Sequence, residues 1–216
     1  MTIYLYSGTP GSGKSLHATR EIYETLKYKK KFVISNYDLN LPEDLDEHFT
    51  YCPNNFLRPG LLVDIARNIW SVRRFEEDGI LLVIDECQLL FNSRNWNDSN
   101  RMDWLEFFSQ HRKYGYKVIF IAQDDSMVDK QFRALIEYDV NHRKVGRFGI
   151  FGAIVNAVCF GQMFYACTYY YTKKYKLNGE WFRCSKKITS LYDSYGSFRQ
   201  VPEGAANSGL APAVAG

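Results

Sequence analysis

The sequence predicts an α/β fold, a mostly parallel sheet with helices on both faces. Three observations carry this expectation. A glycine-rich loop joins a short apolar segment to an amphipathic one at the start of the chain. The run Ile80-Leu81-Leu82-Val83-Ile84 is apolar throughout and closes on Asp85-Glu86, as a parallel strand buried on both faces should. Strand-like and helix-like segments then alternate through residues 1–138, the mark of crossover units.

Ile3-Tyr4-Leu5-Tyr6, β-branched and aromatic, reads as the first strand. The next stretch, Gly8-Thr9-Pro10-Gly11-Ser12-Gly13-Lys14-Ser15, fits G-x-x-x-x-G-K-[ST] at every fixed position. Ala18, Ile22 and Leu26 recur every four residues and predict a helix from about Lys14 to Tyr28. Strand, glycine loop and helix form the context a phosphate loop requires. The glycines let the backbone approach a polyphosphate, and the loop N–H groups point inward at the positive end of the helix. Lys14 would bridge the β- and γ-phosphates, and Ser15 would place its hydroxyl on Mg²⁺. The expected class is therefore a P-loop NTPase.

Phe32-Val33-Ile34-Ser35 reads as a second strand, and residues 36–60 as a long loop with at most a short turn of helix. Leu62, Ile65, Ala66, Ile69 and Val72 have helical spacing, ended by Glu76-Glu77-Asp78-Gly79. Asp85 closes the apolar strand at the edge where such sheets hold ligands and is the candidate Mg²⁺ ligand, through water. Glu86 is the candidate base for the attacking water. Residues 91–101 read as a loop, and Trp104, Leu105 and Phe108 mark a helix ending near Gly115. Lys117 to Ala122 reads as another buried strand, closed by Gln123, and Asp129-Lys130-Gln131-Phe132-Arg133 begins a short helix to about Tyr138. This order matches the additional-strand ATPase class, in which the later strand lies between the phosphate-loop strand and the acidic strand. Gln123 would then act as a sensor beside the γ-phosphate.

The last third differs. Residues 1–138 carry 17 Lys+Arg against 20 Asp+Glu, whereas residues 139–200 carry 10 against 3. A basic third suits nucleic acid or anionic lipid, or equally the solvated face of a hairpin. Its cluster is His142, Arg143, Lys144 and Arg147. Phe148 to Thr172 is free of charge and long enough for a membrane span, but its glycines, Asn156, Gln162 and tyrosines favour strands. Leu177-Asn178-Gly179-Glu180 reads as a hairpin turn into Trp181-Phe182-Arg183-Cys184, and Leu191 to Tyr195 as the closing element. Residues 1–200 are expected to form one NTPase domain whose part 139–200 is basic and β-rich, followed by a disordered tail over 201–216. Five cysteines without a C-x-x-C pair suggest neither a disulfide framework nor a zinc site and point to a reducing compartment. Because the sequence enters its first strand at once, no cleaved signal peptide is expected.

Several stretches together resemble the zonula occludens toxin-like (Zot) family, which includes the assembly ATPase of filamentous phages. They are Tyr4 to Ser15, Val83-Ile84-Asp85-Glu86-Cys87-Gln88, His111-Arg112-Lys113-Tyr114-Gly115 before the strand ending in Gln123, Asp129 to Arg133, and Tyr192-Asp193-Ser194-Tyr195. The resemblance covers roughly residues 1–200. It implies an ATP- and Mg²⁺-dependent ATPase on the cytoplasmic side of the host inner membrane, driving export of phage single-stranded DNA and virion assembly as a homo-oligomeric ring. The family's best-known members carry a membrane span and a second domain after the ATPase domain, which this chain is expected to lack. Arg112 and Arg133 are the candidates for an arginine that completes a neighbour's site. A small-molecule P-loop kinase is the alternative; it would need an arginine-rich lid, for which the loop at 91–101 offers Arg94 and Arg101. A GTPase is disfavoured because no N-K-x-D element occurs. A non-hydrolysing scaffold is disfavoured by the retained Glu86.

Overall fold

The computed structural model describes residues 2–91, 100–147 and 163–192. In chain order its strands are β1 (Ile3–Ser7), β2 (Phe32–Ser35), β3 (Phe49–Tyr51), β4 (Ile80–Ile84), β5 (Tyr116–Ile121), β6 (Tyr138–Lys144), β7 (Met163–Tyr170) and β8 (Tyr175–Arg183). They form one sheet in the order β3-β2-β4-β5-β1-β6-β7-β8. Every pair from β3 to β6 is parallel, and β7 and β8 add antiparallel strands at one edge. As expected, β5 lies between the phosphate-loop strand and the acidic strand.

Helices cover both faces. They are α1 (Lys14–Lys27), α2 (Glu43–Asp46), α3 (Pro59–Val72), α4 (Asn100–Gln110), α5 (Lys130–Arg133) and α6 (Lys186–Leu191). Alternation along the strands divides the core in two. Leu5, Ile34, Leu82, Val118 and Phe120 face α3, α4 and α5, with Leu62, Phe108 and Phe132 packed on them. Tyr6, Val33, Leu81, Val83 and Ile119 face α1 and α6, packed on Ala18, Ile22 and Ile188. All five residues of β4 are buried, because both of its faces are covered.

Three expectations are corrected. Residues 36–60 hold the short turn of helix, α2, but also a strand that was not expected: in β3, Phe49, Thr50 and Tyr51 pair with Val33, Ile34 and Ser35. At three half-buried or exposed residues, β3 is too short to leave a periodicity. Leu177 to Glu180 is not a turn: the hairpin turns at Tyr171 to Lys174, and β8 runs straight through Asn178-Gly179. Gly179 is there for close approach, since a Cβ would overlap the Tyr165 hydroxyl lying over it. His142 does not belong to a surface cluster: β6 turns it inward and it is 1% exposed. Helix α6 ends at Leu191, the start of the predicted closing element, and the Leu191 carbonyl accepts from Asn40 N–H at 3.0 Å. Of the charge-free stretch 148–172, residues 163–170 form β7 and residues 148–162 lie outside the described residues, as do the predicted tail 201–216 and Asp193 to Tyr195. Among the described residues no helix is long and apolar enough to cross a membrane.

Candidate functional site

β1 ends at Ser7 and α1 begins at Lys14, so Gly8 to Gly13 form the whole connection. Gly8 N–H donates to the Gln123 carbonyl at 3.2 Å, tying the loop's root to the end of β5. Gly8 and Gly13 have φ of 138° and 94°, a region costly for any residue with a Cβ. Contacts add to that restriction: a Cβ on Gly8 would lie 2.5 Å from the His142 carbonyl oxygen, and one on Gly13 would lie 2.7 Å from the Phe164 ring. Thr9, Pro10 and Gly11 form the exposed tip, held by Ser12 N–H donating to the Thr9 carbonyl at 3.1 Å. Ser12 is 1% exposed, and its hydroxyl has no hydrogen-bond partner among the described residues.

Lys14 folds its ammonium over the loop, donating to the Gly8 carbonyl at 2.7 Å and the Thr9 carbonyl at 3.3 Å. Burial pulls its pKa below the ordinary lysine range, against the opposing charges of Asp85 and Glu86. Ser15 Oγ donates to Asp85 Oδ2 at 2.9 Å across 70 residues of sequence. Burial raises the Asp85 pKa, while the Ser15 bond favours its charged form.

The acidic pair is fixed by residues that the sequence reading did not single out. Asn36, at the end of β2, accepts from Asp85 N–H at 2.7 Å and donates to the Asp85 carbonyl at 2.8 Å. Its amide also donates to Asn54 Oδ1 at 2.8 Å. A polar residue closing an apolar strand on the ligand edge was the available signal. Glu86 N–H donates to Asp85 Oδ1 at 2.8 Å, and Glu86 itself adopts φ 49°, uncommon for a residue with a side chain. Its carboxylate accepts from Gln88 Nε2.

A second buried network lies beneath the loop. Ser7 Oγ donates to Asp139 Oδ1 at 2.6 Å and accepts from Asn141 Nδ2 at 3.3 Å. His142 Nδ1 lies 3.3 Å from the Ser7 carbonyl, and His142 Nε2 lies 2.8 Å from His17 Nδ1 on α1. A carbonyl can only accept, so His142 Nδ1–H donates to Ser7 and Nε2 accepts from His17 Nδ1–H.

The remaining candidates separate. Gln123 is exposed at the end of β5, between the loop strand and the acidic strand. Arg133 is half-buried on α5, close to Tyr171 and Asp124, with its Nε lacking a hydrogen-bond partner among the described residues. Arg112 is not on the ligand edge, as an arginine completing a neighbour's site would need to be. It precedes the first residue of β5, and α4 has by then carried the chain back to the opposite edge of the sheet. There it pairs with Glu137, just before β6. Arg101 donates to Asp129 Oδ1 at 3.0 Å within the fold, and Arg94, the other arginine of a kinase lid, lies outside the described residues.

The residues fit a magnesium–nucleotide. Gly8 and Gly13 leave no space for a side chain at the root of the loop, the lysine folds its ammonium over the loop, and the hydroxyl–carboxylate pair is an oxygen donor set suited to Mg²⁺.

A family model described as zonular occludens toxin (Zot) matches residues 2–198. The Gene 1 protein of Enterobacteria phage I2-2 is 33% identical over 207 residues, covering 90% of this chain and 56% of the relative. The chain thus spans little more than half of that relative's length. Among solved structures, the N-terminal domain of zonular occludens toxin from Neisseria meningitidis aligns with TM-score 0.53 at 18% identity, covering 89% of this chain and 98% of the other. The genome packaging NTPase B204 of Sulfolobus turreted icosahedral virus 2, solved with ATP-γS, aligns with TM-score 0.53 at 13% identity, covering 85% and 98%. These two likenesses establish the P-loop NTPase fold of the chain.

Proposed function

The chain belongs to the zonular occludens toxin (Zot) family, and from that premise and the site's geometry we propose that it is a P-loop ATPase of the phage-assembly type. It couples ATP hydrolysis to export of phage single-stranded DNA and assembly of the filamentous virion. The observation that carries the catalytic part is the Ser15–Asp85 hydrogen bond. It brings the end of the phosphate loop to the end of the acidic strand, and it supports reading the two motifs as one site.

In this reading the loop N–H groups not already engaged within the fold, those of Gly11 and Gly13 among them, receive the polyphosphate, and Lys14 moves from its loop carbonyls to the β- and γ-phosphates. Mg²⁺, held by Ser15 and by Asp85 through water, would neutralise phosphate charge. Asn36 keeps Asp85 aimed at Ser15. Glu86 accepts the proton of a water whose oxygen attacks the γ-phosphorus; the bond to the β–γ bridging oxygen breaks and ADP leaves. Gln123, at the end of the strand between the two motifs, senses the γ-phosphate.

The working form is a homo-oligomeric ring on the cytoplasmic side of the host inner membrane, with phage DNA or virion components as partners. B204 is named a genome packaging NTPase, and the Gene 1 protein is a phage product, which supports this setting. Arg133 is the preferred trans-acting arginine, because Arg112 lies at the far edge and is held by Glu137.

Nucleotide titration of the Lys14→Ala variant tests the proposal. Loss of tight ATP binding is expected, since the loop's one side-chain cation is gone; unchanged affinity would overturn the assignment. Mixing that variant with Arg133→Ala should restore part of the turnover if the arginine acts across subunits. If mixed rings form and no ratio exceeds the sum of the two, Arg133 does not act in trans.

A further inference from the structure

The face of β6, β7 and β8 turned away from α1 plays no part in the nucleotide site. Three strands align there in register: Arg143 stands opposite Tyr165, and Tyr165 opposite Trp181. Two residues along, on the same face, Met163 stands opposite Arg183. The Tyr165 and Trp181 rings lie 4.6 Å apart between centroids, tilted by 47°. Gly179 leaves room for the Tyr165 ring to lie across β8, and beyond it Lys176 Nζ sits 5.9 Å from the ring centre. The result is a strip of Trp181, Tyr165 and Lys176, flanked by Arg143 and Arg183.

Trp181 is 57% exposed, and Arg143, Lys176 and Arg183 are exposed as well. Arg143 is steadied by donating from Nε to Asn141 Oδ1 at 3.2 Å. From Met163 to Tyr192 the chain carries six Lys+Arg against one acid, Glu180, whose carboxylate is bound by Arg20 at 2.8 Å. Lysines on an edge strand guard against unwanted pairing. That accounts for the lysines but not for two large aromatic rings held side by side among arginines.

We propose that this face is a stacking platform for single-stranded nucleic acid. Unpaired bases stack on aromatic faces whatever their sequence, and a row of cations follows the phosphates alongside. A duplex hides its base faces, and a membrane anchor needs apolar side chains projecting from the surface, whereas here one ring is laid along the sheet. The same two strands also brace the phosphate loop from their other face. Phe164 fills the space beside Gly13, and Phe182 packs on Phe164 at 5.5 Å and on His17 at 4.8 Å. Nucleic acid on the outer face therefore bears on strands that support the nucleotide site. The platform itself does not depend on ATP hydrolysis, so its failure would leave the nucleotide reading untouched.

The test is fluorescence anisotropy of a labelled oligothymidylate of about 20 nucleotides with the full chain at low salt, without nucleotide. Trp181→Ala should weaken binding about tenfold or more, and Trp181→Phe should retain most of it. The double variant Lys176→Gln/Arg183→Gln, on exposed side chains, should lower the log–log salt slope by about 1.4. Absence of wild-type binding, full affinity in the Trp181→Ala protein, or an unchanged salt slope in the double variant would overturn the proposal. So would Trp181-dependent binding to phosphatidylglycerol vesicles without binding to the oligonucleotide, which would make the face a membrane contact.

Discussion

Beneath the phosphate loop two imidazoles share a hydrogen bond, His142 fully buried and His17 half-buried. Burial, then the neighbouring His17, pushes His142 down to about 3, with Lys14 adding to the effect and the Ser7 and Val140 backbone opposing it. Burial lowers His17 as well, against Glu180, Glu21 and Glu24 and together with Arg20. His142 is therefore neutral in the folded protein down to low pH, whereas an unfolded chain protonates it below about 6.5. The sign follows: the stability is complete above the unfolded value and declines as pH falls from about 6.5 toward 3. Between pH 6.5 and 5 His142 alone should remove about 2 kcal/mol. Burial raises Asp85 and Asp139, which opposes this trend at lower pH. Chemical denaturation across that range should give a weaker pH dependence for His142→Gln than for wild type; an equal slope would mean that His142 titrates alike in the folded and unfolded chain. The sequence placed this histidine among surface cations because the alternation of β6 cannot reveal which of its faces is covered.

At the scale of elements, legibility followed burial on both sides. β4 and α1 were readable because a strand covered on two faces is apolar throughout and an amphipathic helix repeats its stripe. The Ser15–Asp85 contact was implicit in the two motifs, whereas Asn36 was not, since its role arises only when β2 pairs with β4. The hairpin was legible as a hairpin but not in its turn. Asn178-Gly179 has turn chemistry, yet Gly179 sits opposite Cys167 in mid-strand to admit the Tyr165 ring. Gly179→Ala should therefore displace that ring and cost about 1–3 kcal/mol, an overpacking penalty. Each kcal/mol lowers the melting temperature by about 2–4 °C in a chain of this size. An unchanged melting temperature would show that the ring does not need the space.

For the whole molecule, topology decides which residues meet. Placing β5 between β1 and β4 sets Gln123 between the two nucleotide motifs. The same crossovers return Arg112 to the far edge, a fact that spacing along the chain does not contain. The antiparallel hairpin extends the sheet past β6 and brings Phe164 against the phosphate loop, so the basic third belongs to the architecture around the site. The central claim is that this loop and its acidic strand hydrolyse ATP, with Glu86 as the base. Single-turnover hydrolysis by Glu86→Gln, measured beside its ATP affinity, tests it most directly. The variant should bind ATP as tightly as wild type and hydrolyse it about 10²–10⁴-fold more slowly, the usual loss of a general base. Wild-type hydrolysis by Glu86→Gln would contradict the account.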